Sequence, residues 1–178
     1  MTPMAPLKPG PAAGGPASGR QDWLLEQAAQ RRELVICGAH GGAGTTTLAC
    51  WLSPAWDMGA MRPARDPGPP AIIAHGRPLL VACRNTAAAA AAATAAVAAL
   101  TRPGARVAVL VVVSDGWPQP PAATARFRLL APHVGSVIHL PFVPALRLAD
   151  GPAGVPLPRA ARRALDQIRA ATGRPITT

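Results

Sequence analysis

The sequence predicts an α/β protein in which a three-layer, mostly parallel sheet carries helices on both faces. Three observations support this fold class. Short apolar runs alternate with helix-forming segments along the chain, which is the order typical of parallel sheets. The run RVAVLVVVSDG (residues 106–116) is almost continuously apolar and β-branched, as in a strand covered on both faces. A glycine-rich turn separates the first predicted strand from the helix that follows it.

The first third of the chain divides into a tail and the start of one domain. Residues 1–20 are rich in Pro, Gly and Ala and predict a disordered tail, and residues 21–178 predict a single domain. Asp22 is a suitable N-cap for an amphipathic helix over residues 22–32. The run ELVICGA (residues 33–39) is a buried strand, and a helix begins at about Thr45 and ends before Pro54.

The rest of the chain alternates between strands and helices after one long loop. Residues 53–78 are rich in Pro and Gly and predict a functional or mobile loop, with at most a short regular piece at residues 71–74. The predicted strands then cover residues 78–83, 106–116 and 136–143, and the predicted helices cover residues 85–100, 120–132 and 157–173. Asn85 or Thr86 is the expected cap of the alanine-rich helix.

Charge and cysteine content restrict the classes of function. The net charge is +10, carried by dispersed arginines, and the single lysine is Lys8 in the tail. A basic surface permits an acidic protein, nucleic acid or an anionic membrane as partner, but no aromatic residues are interleaved with the arginines as in base-stacking surfaces. Cys37, Cys50 and Cys83 lie far apart in apolar segments, so we expect buried, reduced thiols rather than a metal site.

Membrane spans and signal peptides both require an apolar run. No apolar run reaches the roughly 18–20 residues that span a bilayer. The N-terminus lacks the apolar centre of a signal peptide. These observations lead us to expect a cytoplasmic protein without a transmembrane segment.

The stretch ICGAHGGAGTTTLAC (residues 36–50) carries the strongest functional signal. A strand, a group of glycines and a helix N-terminus together form an anion site, because backbone N–H groups point inward and glycine lets a phosphate approach. The general pattern G-x-x-x-x-G-K-[ST] is not met. Gly44 fits its second glycine, whereas Ala39 stands where the first is required.

A closer match is the segment HGGAGTT (residues 40–46), which we call the glycine loop. It resembles the deviant Walker A motif of the ParA/MinD family of P-loop ATPases, K-G-G-x-G-K-[ST]. The glycines Gly41, Gly42 and Gly44 are kept. Thr46 keeps the hydroxyl that helps to hold magnesium in the family, and Thr47 also recurs there. The resemblance therefore implies a P-loop NTPase fold, with ATP or ADP and Mg²⁺ as the cofactors to test.

The same comparison shows what the loop lacks. His40 stands in place of the family's signature lysine, and Thr45 stands in place of the P-loop lysine. The family also carries a Walker B aspartate in a longer segment that is reduced here to residues 53–78. The only carboxylates in that segment are Asp57 and Asp66, and neither follows an apolar strand.

Outside the loop, the resemblance covers about residues 33–172. The run RVAVLVVVSDG is similar to the family's strand that ends near the base, and Asp115 lies at its end. The stretch VIHLPFVPALRLADG is similar to the family's closing region, with Pro141 and Pro144 fitting the pattern. Asp115 is a candidate for orienting a base or a metal, or it caps a turn in SDG.

Three interpretations of the glycine loop follow. It is a tight structural turn, a nucleotide or phosphate site without hydrolysis, or a working ATPase. We predict a degenerate ParA/MinD-like protein without ATP hydrolysis that acts as a regulatory or assembly component with a protein partner or as a homodimer. The resemblance implies a bacterial setting of plasmid partition, positioning or conjugative transfer. The alternatives are an NTPase completed by a partner subunit and a basic DNA- or membrane-binding accessory protein.

Two further features have alternative interpretations. Asp57 is expected on a lid loop with Trp51 and Trp56 nearby, where the aromatic pair packs over the sheet or forms a partner surface. The last helix has an apolar stripe and a basic remainder, which predicts a helix docked on the core rather than one lying on a membrane. The stripe residues are Ala161, Leu165, Ile168 and Thr172.

Overall fold

The computed structural model describes residues 33–61, 72–102 and 104–173. The predicted tail, the predicted helix over residues 22–32 and Asp66 lie outside these residues. The described strands are β1 (Leu34–Gly38), β2 (Ala55–Ala60), β3 (Leu79–Arg84), β4 (Val107–Val113) and β5 (Ser136–Leu140). The described helices are α1 (Thr45–Trp51), α2 (Ala87–Thr101), α3 (Pro121–Leu130) and α4 (Arg159–Ala171).

The five strands form one parallel sheet in the order β2-β1-β3-β4-β5. The chain passes from β1 to the edge strand β2 and then returns across β1 to β3. The winding direction therefore reverses between β1 and β3. In open parallel sheets, this is the point at which ligands bind, beyond the carboxyl ends of the strands.

Helices cover the two faces of the sheet and create two cores. On one face, α2 and α3 pack on side chains such as Val81 and Leu110. On the other face, α1 and α4 pack on side chains such as Ile36 and Val109. This arrangement confirms the predicted α/β class and its parallel sheet between helical layers.

One predicted loop contains a strand. Residues 53–78 were expected to lack regular structure beyond residues 71–74, but Ala55–Ala60 form β2, which pairs with β1. The strand is an edge strand, and Trp56, Asp57 and Met58 are exposed. Because its side chains are exposed or only partly buried, β2 has no apolar run that periodicity could detect. The prediction that Asp57 lies on a lid loop is therefore wrong.

The ends of the helices agree closely with the sequence signals. The Thr86 hydroxyl accepts a hydrogen bond from the N–H of Ala89 and caps α2, so Thr86 rather than Asn85 is the cap. In α4, the predicted stripe is buried throughout. Arg169 bonds Asp166 at 2.9 Å and the carbonyl of Trp51 at 3.0 Å. Helix α4 is therefore docked on the core, as predicted, and the contact of Arg169 also ties it to α1.

The cysteines agree with the prediction in two of three cases. Cys37 and Cys83 are buried in the sheet, and burial raises the pKa of each thiol to about 12. Cys50 belongs to α1 and is exposed. The expectation of three buried thiols is wrong at this position.

Among the described residues, no helix is long and apolar enough to cross a membrane.

Candidate functional site

The glycine loop connects β1 to α1 at the carboxyl edge of the sheet. Its backbone depends on two glycines in the left-handed region, Gly42 with φ 73° and Gly44 with φ 93°. The loop also folds back over Gly38, where an added Cβ would lie 3.0 Å from the His40 carbonyl oxygen and 3.1 Å from the Ala43 Cβ. The glycines of this stretch therefore permit a tight curl that other residues would strain.

The backbone of the glycine loop and of the first turn of α1 contains a row of N–H groups without a protein acceptor. Within residues 33–61, 72–102 and 104–173, the backbone N–H groups of residues 41–47 donate no hydrogen bond to another protein group. The first N–H that is used is that of Leu48, which donates to the Gly44 carbonyl at 3.0 Å. Successive free N–H groups in a curled backbone make a concave site that attracts anions.

His40 fastens the loop to the neighbouring strand. Its Nε2 accepts a hydrogen bond from the backbone N–H of Arg84 at 3.1 Å. Its Nδ1 lies 2.8 Å from the carbonyl oxygen of Gly41. Both contacts are satisfied together by the tautomer that carries its proton on Nδ1. The residue in the place of the signature lysine therefore bridges two backbone segments, and its side chain is already engaged.

Arg84 approaches the loop from the end of β3. Its Nε donates a hydrogen bond to the carbonyl oxygen of Gly42 at 2.9 Å. The residue also lines a cavity together with Gly44 and Thr47. Strands β1 and β3 are adjacent, so the parallel pairing brings the end of one strand beside the loop that follows the other.

Thr46 and Asp57 are in contact on the flank of α1 that lies opposite Arg84 and the cavity. The Thr46 hydroxyl donates to Asp57 Oδ2 at 2.7 Å, and the N–H of Gly59 donates to Oδ1 at 2.8 Å. Burial alone would raise the pKa of the Asp57 carboxyl, but hydrogen bonds from Thr46, Gly59 and Thr45 outweigh it and lower the pKa below its ordinary value of 3.8. An ionised carboxylate beside a hydroxyl offers the hard oxygen ligands that Mg²⁺ prefers.

A cavity of about 580 Å³ opens on the other side of α1. This volume falls in the range of small-molecule sites. Apolar side chains such as Trp51 and Phe142 form much of its wall, and polar groups lie where it meets the glycine loop. The loop after β5 closes the far side, because the Trp51 indole N–H donates to the carbonyl of Pro152 at 3.0 Å.

Asp115 lines this cavity but is also part of a turn. Its Oδ1 accepts a hydrogen bond from the N–H of Trp117 at 3.0 Å. Its own N–H donates to the side-chain oxygen of Asn85 at 3.3 Å, and the Asn85 amide donates to the Trp117 carbonyl at 2.9 Å. Buried Asn85 thus holds the ends of β3 and β4 together, and one carboxylate oxygen of Asp115 remains outside these contacts.

The predicted site residues therefore fall into three places. Gly44, Thr47 and Asp115 line the cavity. Thr46 faces Asp57 on the other flank of α1, and Thr45 helps to lower the pKa of that carboxyl. His40, Gly41 and Gly42 form the outer curl of the loop.

Sequence reasoning missed the partner of Thr46. Asp57 belongs to an exposed edge strand, and no apolar run marks it as the end of a buried one. Asn85 was considered only as a helix cap. Arg84 directly follows the predicted strand over residues 78–83, and this position is the signal that places it at the sheet edge.

Metal-binding residues are limited in the described part of the chain. No group of three or more His, Cys, Asp or Glu side chains is arranged to hold a metal ion there. A cation at Thr46 and Asp57 would therefore take its remaining ligands from a bound phosphate or from water, which is common for Mg²⁺.

Comparisons of the chain with protein-family models, with curated proteins and with solved structures give no match. The strand order is one that doubly wound proteins of several functions share, so the function has to be argued from the site.

Proposed function

We propose that this protein is a degenerate relative of the ParA/MinD ATPases that binds a nucleotide or another phosphate-bearing ligand without hydrolysing it. The observation that carries the proposal is the curl of free N–H groups at residues 41–47, which opens beside a cavity large enough for a small ligand. The N–H groups of residues 45–47 belong to the first turn of α1, where any helix leaves such donors. The feature that favours binding is the continuation of this row through the glycine loop, beside a cavity.

The residues present fit a magnesium ion on the flank of α1 that faces away from the cavity. Thr46 and Asp57 would hold it, with water, or oxygens of a phosphate bound at the glycine loop between the two flanks, completing the shell. The ion would neutralise charge on the bound phosphates. The chain's own contribution is to keep Asp57 ionised through its hydrogen bonds and to keep the Thr46 hydroxyl beside it.

Hydrolysis requires more than binding, because phosphoryl transfer depends on positioning and charge stabilisation. Neither position of the motif that carries lysine in the family does so here, since they hold His40 and Thr45. Losing one preorganised electrostatic contact costs about 3–4 kcal/mol, or roughly 10²–10³ in rate. With both lysine contacts missing, we expect the protein to bind the ligand without hydrolysing it. We propose a regulatory or assembly role, in a bacterial partition, positioning or conjugative-transfer setting.

The test is the thermal shift caused by ADP with Mg²⁺. We expect the melting temperature to rise with ligand concentration, because a ligand that binds only the native state stabilises it by RT ln(1 + [L]/Kd). Gly44→Val forces a β-branched residue into φ 93° in the loop and should abolish the shift. Gly104→Val is the matched control, because Gly104 has φ 89° and lies between α2 and β4, away from the glycine loop.

The outcomes are distinct. A shift that survives in Gly104→Val and disappears in Gly44→Val supports the proposal. If no nucleotide shifts the wild-type protein, the loop is a structural turn and the proposal fails.

The second candidate is an NTPase completed by a partner's lysine or arginine. Exposed Gly41 and Gly42 favour it, since they leave the loop open to another molecule. A turnover rate that appears only with a partner, and that Thr46→Ala abolishes, would select this alternative.

A further inference from the structure

We propose that Arg84 supplies the positive charge that the glycine loop lacks, and that it does so from strand β3. The guanidinium would contact the phosphate of the bound ligand in place of the missing P-loop lysine. This inference rests on the proposed function and identifies the residue that makes the site selective for charged phosphate.

The first argument is the position of Arg84. The residue ends β3, on the side of the switch point opposite the glycine loop, and its Nε is 2.9 Å from the Gly42 carbonyl oxygen. The side chain is therefore fixed against the loop at one nitrogen. It also shares the cavity wall with Gly44 and Thr47.

The second argument is that the rest of the guanidinium is uncommitted. Among the described residues, no carboxylate forms an ion pair with Arg84, and its two terminal nitrogens donate no hydrogen bond. By contrast, Arg77 and Arg169 are paired with Glu33 and Asp166. An unpaired guanidinium on a cavity wall, beside a row of free N–H groups, suits a phosphate, which accepts two parallel N–H bonds from one arginine.

The third argument is that Arg84 is better placed for this role than the other cations of the described residues. Arg147 also lines the cavity, but its guanidinium carbon lies 4.9 Å from the centre of the Phe142 ring, on the wall formed after β5. The chain's single lysine, Lys8, lies outside the described residues. Arg84 is thus the cation that is bonded to the glycine loop in the described part of the protein.

The experiment measures calorimetric affinities for adenosine, ADP and pyrophosphate. Arg84→Ala should weaken ADP and pyrophosphate about 10- to 100-fold, the range expected for lost hydrogen bonds to a charged group. Arg84→Lys keeps the charge but cannot hold Gly42 and a phosphate with one planar fork, so we expect an intermediate loss. Arg128→Ala, which removes an exposed arginine from α3, should change each affinity by less than about two-fold.

The controls separate the two proposals. If the wild-type protein binds neither ADP nor pyrophosphate, the proposed function fails. If the wild-type protein binds them and Arg84→Ala binds equally well, only the role of Arg84 is overturned. The role of Arg84 is also overturned if Arg84→Ala weakens the binding of adenosine as much as the binding of ADP, because the arginine would then only shape the loop. An unfolding curve of each variant shows that the native fold is retained.

Discussion

His40 has a structural role in the glycine loop. Its imidazole accepts a hydrogen bond from Arg84 and bonds the Gly41 carbonyl, and a lysine ammonium has no acceptor for the first contact. Histidine therefore bridges two backbone segments at a position where the resembling motif has a mobile charge. At this scale, the glycine loop has the shape of an anion site, and we propose that Arg84 on the next strand supplies its charge.

The state of Asp57 gives a prediction about acid stability. Because hydrogen bonds lower its pKa in the folded protein, its contribution to stability is present above the ordinary value of 3.8 and is lost as the pH falls through the folded value. We expect wild-type protein to lose more stability than Asp57→Asn between pH 6 and pH 3. Urea unfolding at both pH values measures this difference, with Asp150→Asn as the control for removing a carboxyl elsewhere. Equal acid losses in wild-type protein and Asp57→Asn would contradict it.

At the scale of elements, α1 separates two half-sites and α4 holds α1 in place. The Thr46–Asp57 pair lies on one flank of α1, and the cavity lies on the other. Arg169 in α4 bonds the carbonyl at the end of α1, and the Trp51 side chain there bonds the cavity's outer loop. The position of the site therefore depends on the packing of α4 against the sheet.

The prediction at this scale concerns the buried stripe of α4. Ile168 is fully buried, so Ile168→Ala should cost about 2–5 kcal/mol of unfolding free energy through the cavity it leaves. Arg163→Ala, on the exposed face of the same helix, should change the unfolding free energy by less than about 0.5 kcal/mol. Denaturant unfolding measures both. Similar costs for the two variants would mean that α4 is not docked as described.

The strands also show how much of the fold could be predicted from the sequence. Strands β1, β3 and β4 carry apolar runs because side chains on both of their faces are buried, and periodicity detects them. Strand β5 lies at the other edge, where Ile138 and Leu140 are buried on one face and His139 is exposed on the other. Strand β2 has no such run because it is an exposed edge. For the same reason, the Thr46–Asp57 contact was not predicted: it joins residues from a helix and an unrecognised strand. The contact of Arg84 with Gly42 needed the strand order, which the sequence alone does not supply.

At the scale of the whole molecule, arginine carries the positive charge and the fold gathers the candidate site at one edge of the sheet. The chain carries a net charge of +10, yet its only lysine lies in the predicted tail. The reversal of winding between β1 and β3 brings the glycine loop and Arg84 to one edge of the sheet. Our central claim is that this edge binds a phosphate-bearing ligand although the glycine loop has no lysine.

Calorimetric titration of the wild-type protein with ADP and Mg²⁺, followed by an assay for released phosphate from ATP, tests that claim most directly. We expect saturable one-site binding at millimolar affinity or tighter, and no phosphate release above the uncatalysed background. The claim would be contradicted by the absence of binding heat with ADP, ATP and pyrophosphate alike, or by turnover of ATP by the protein alone.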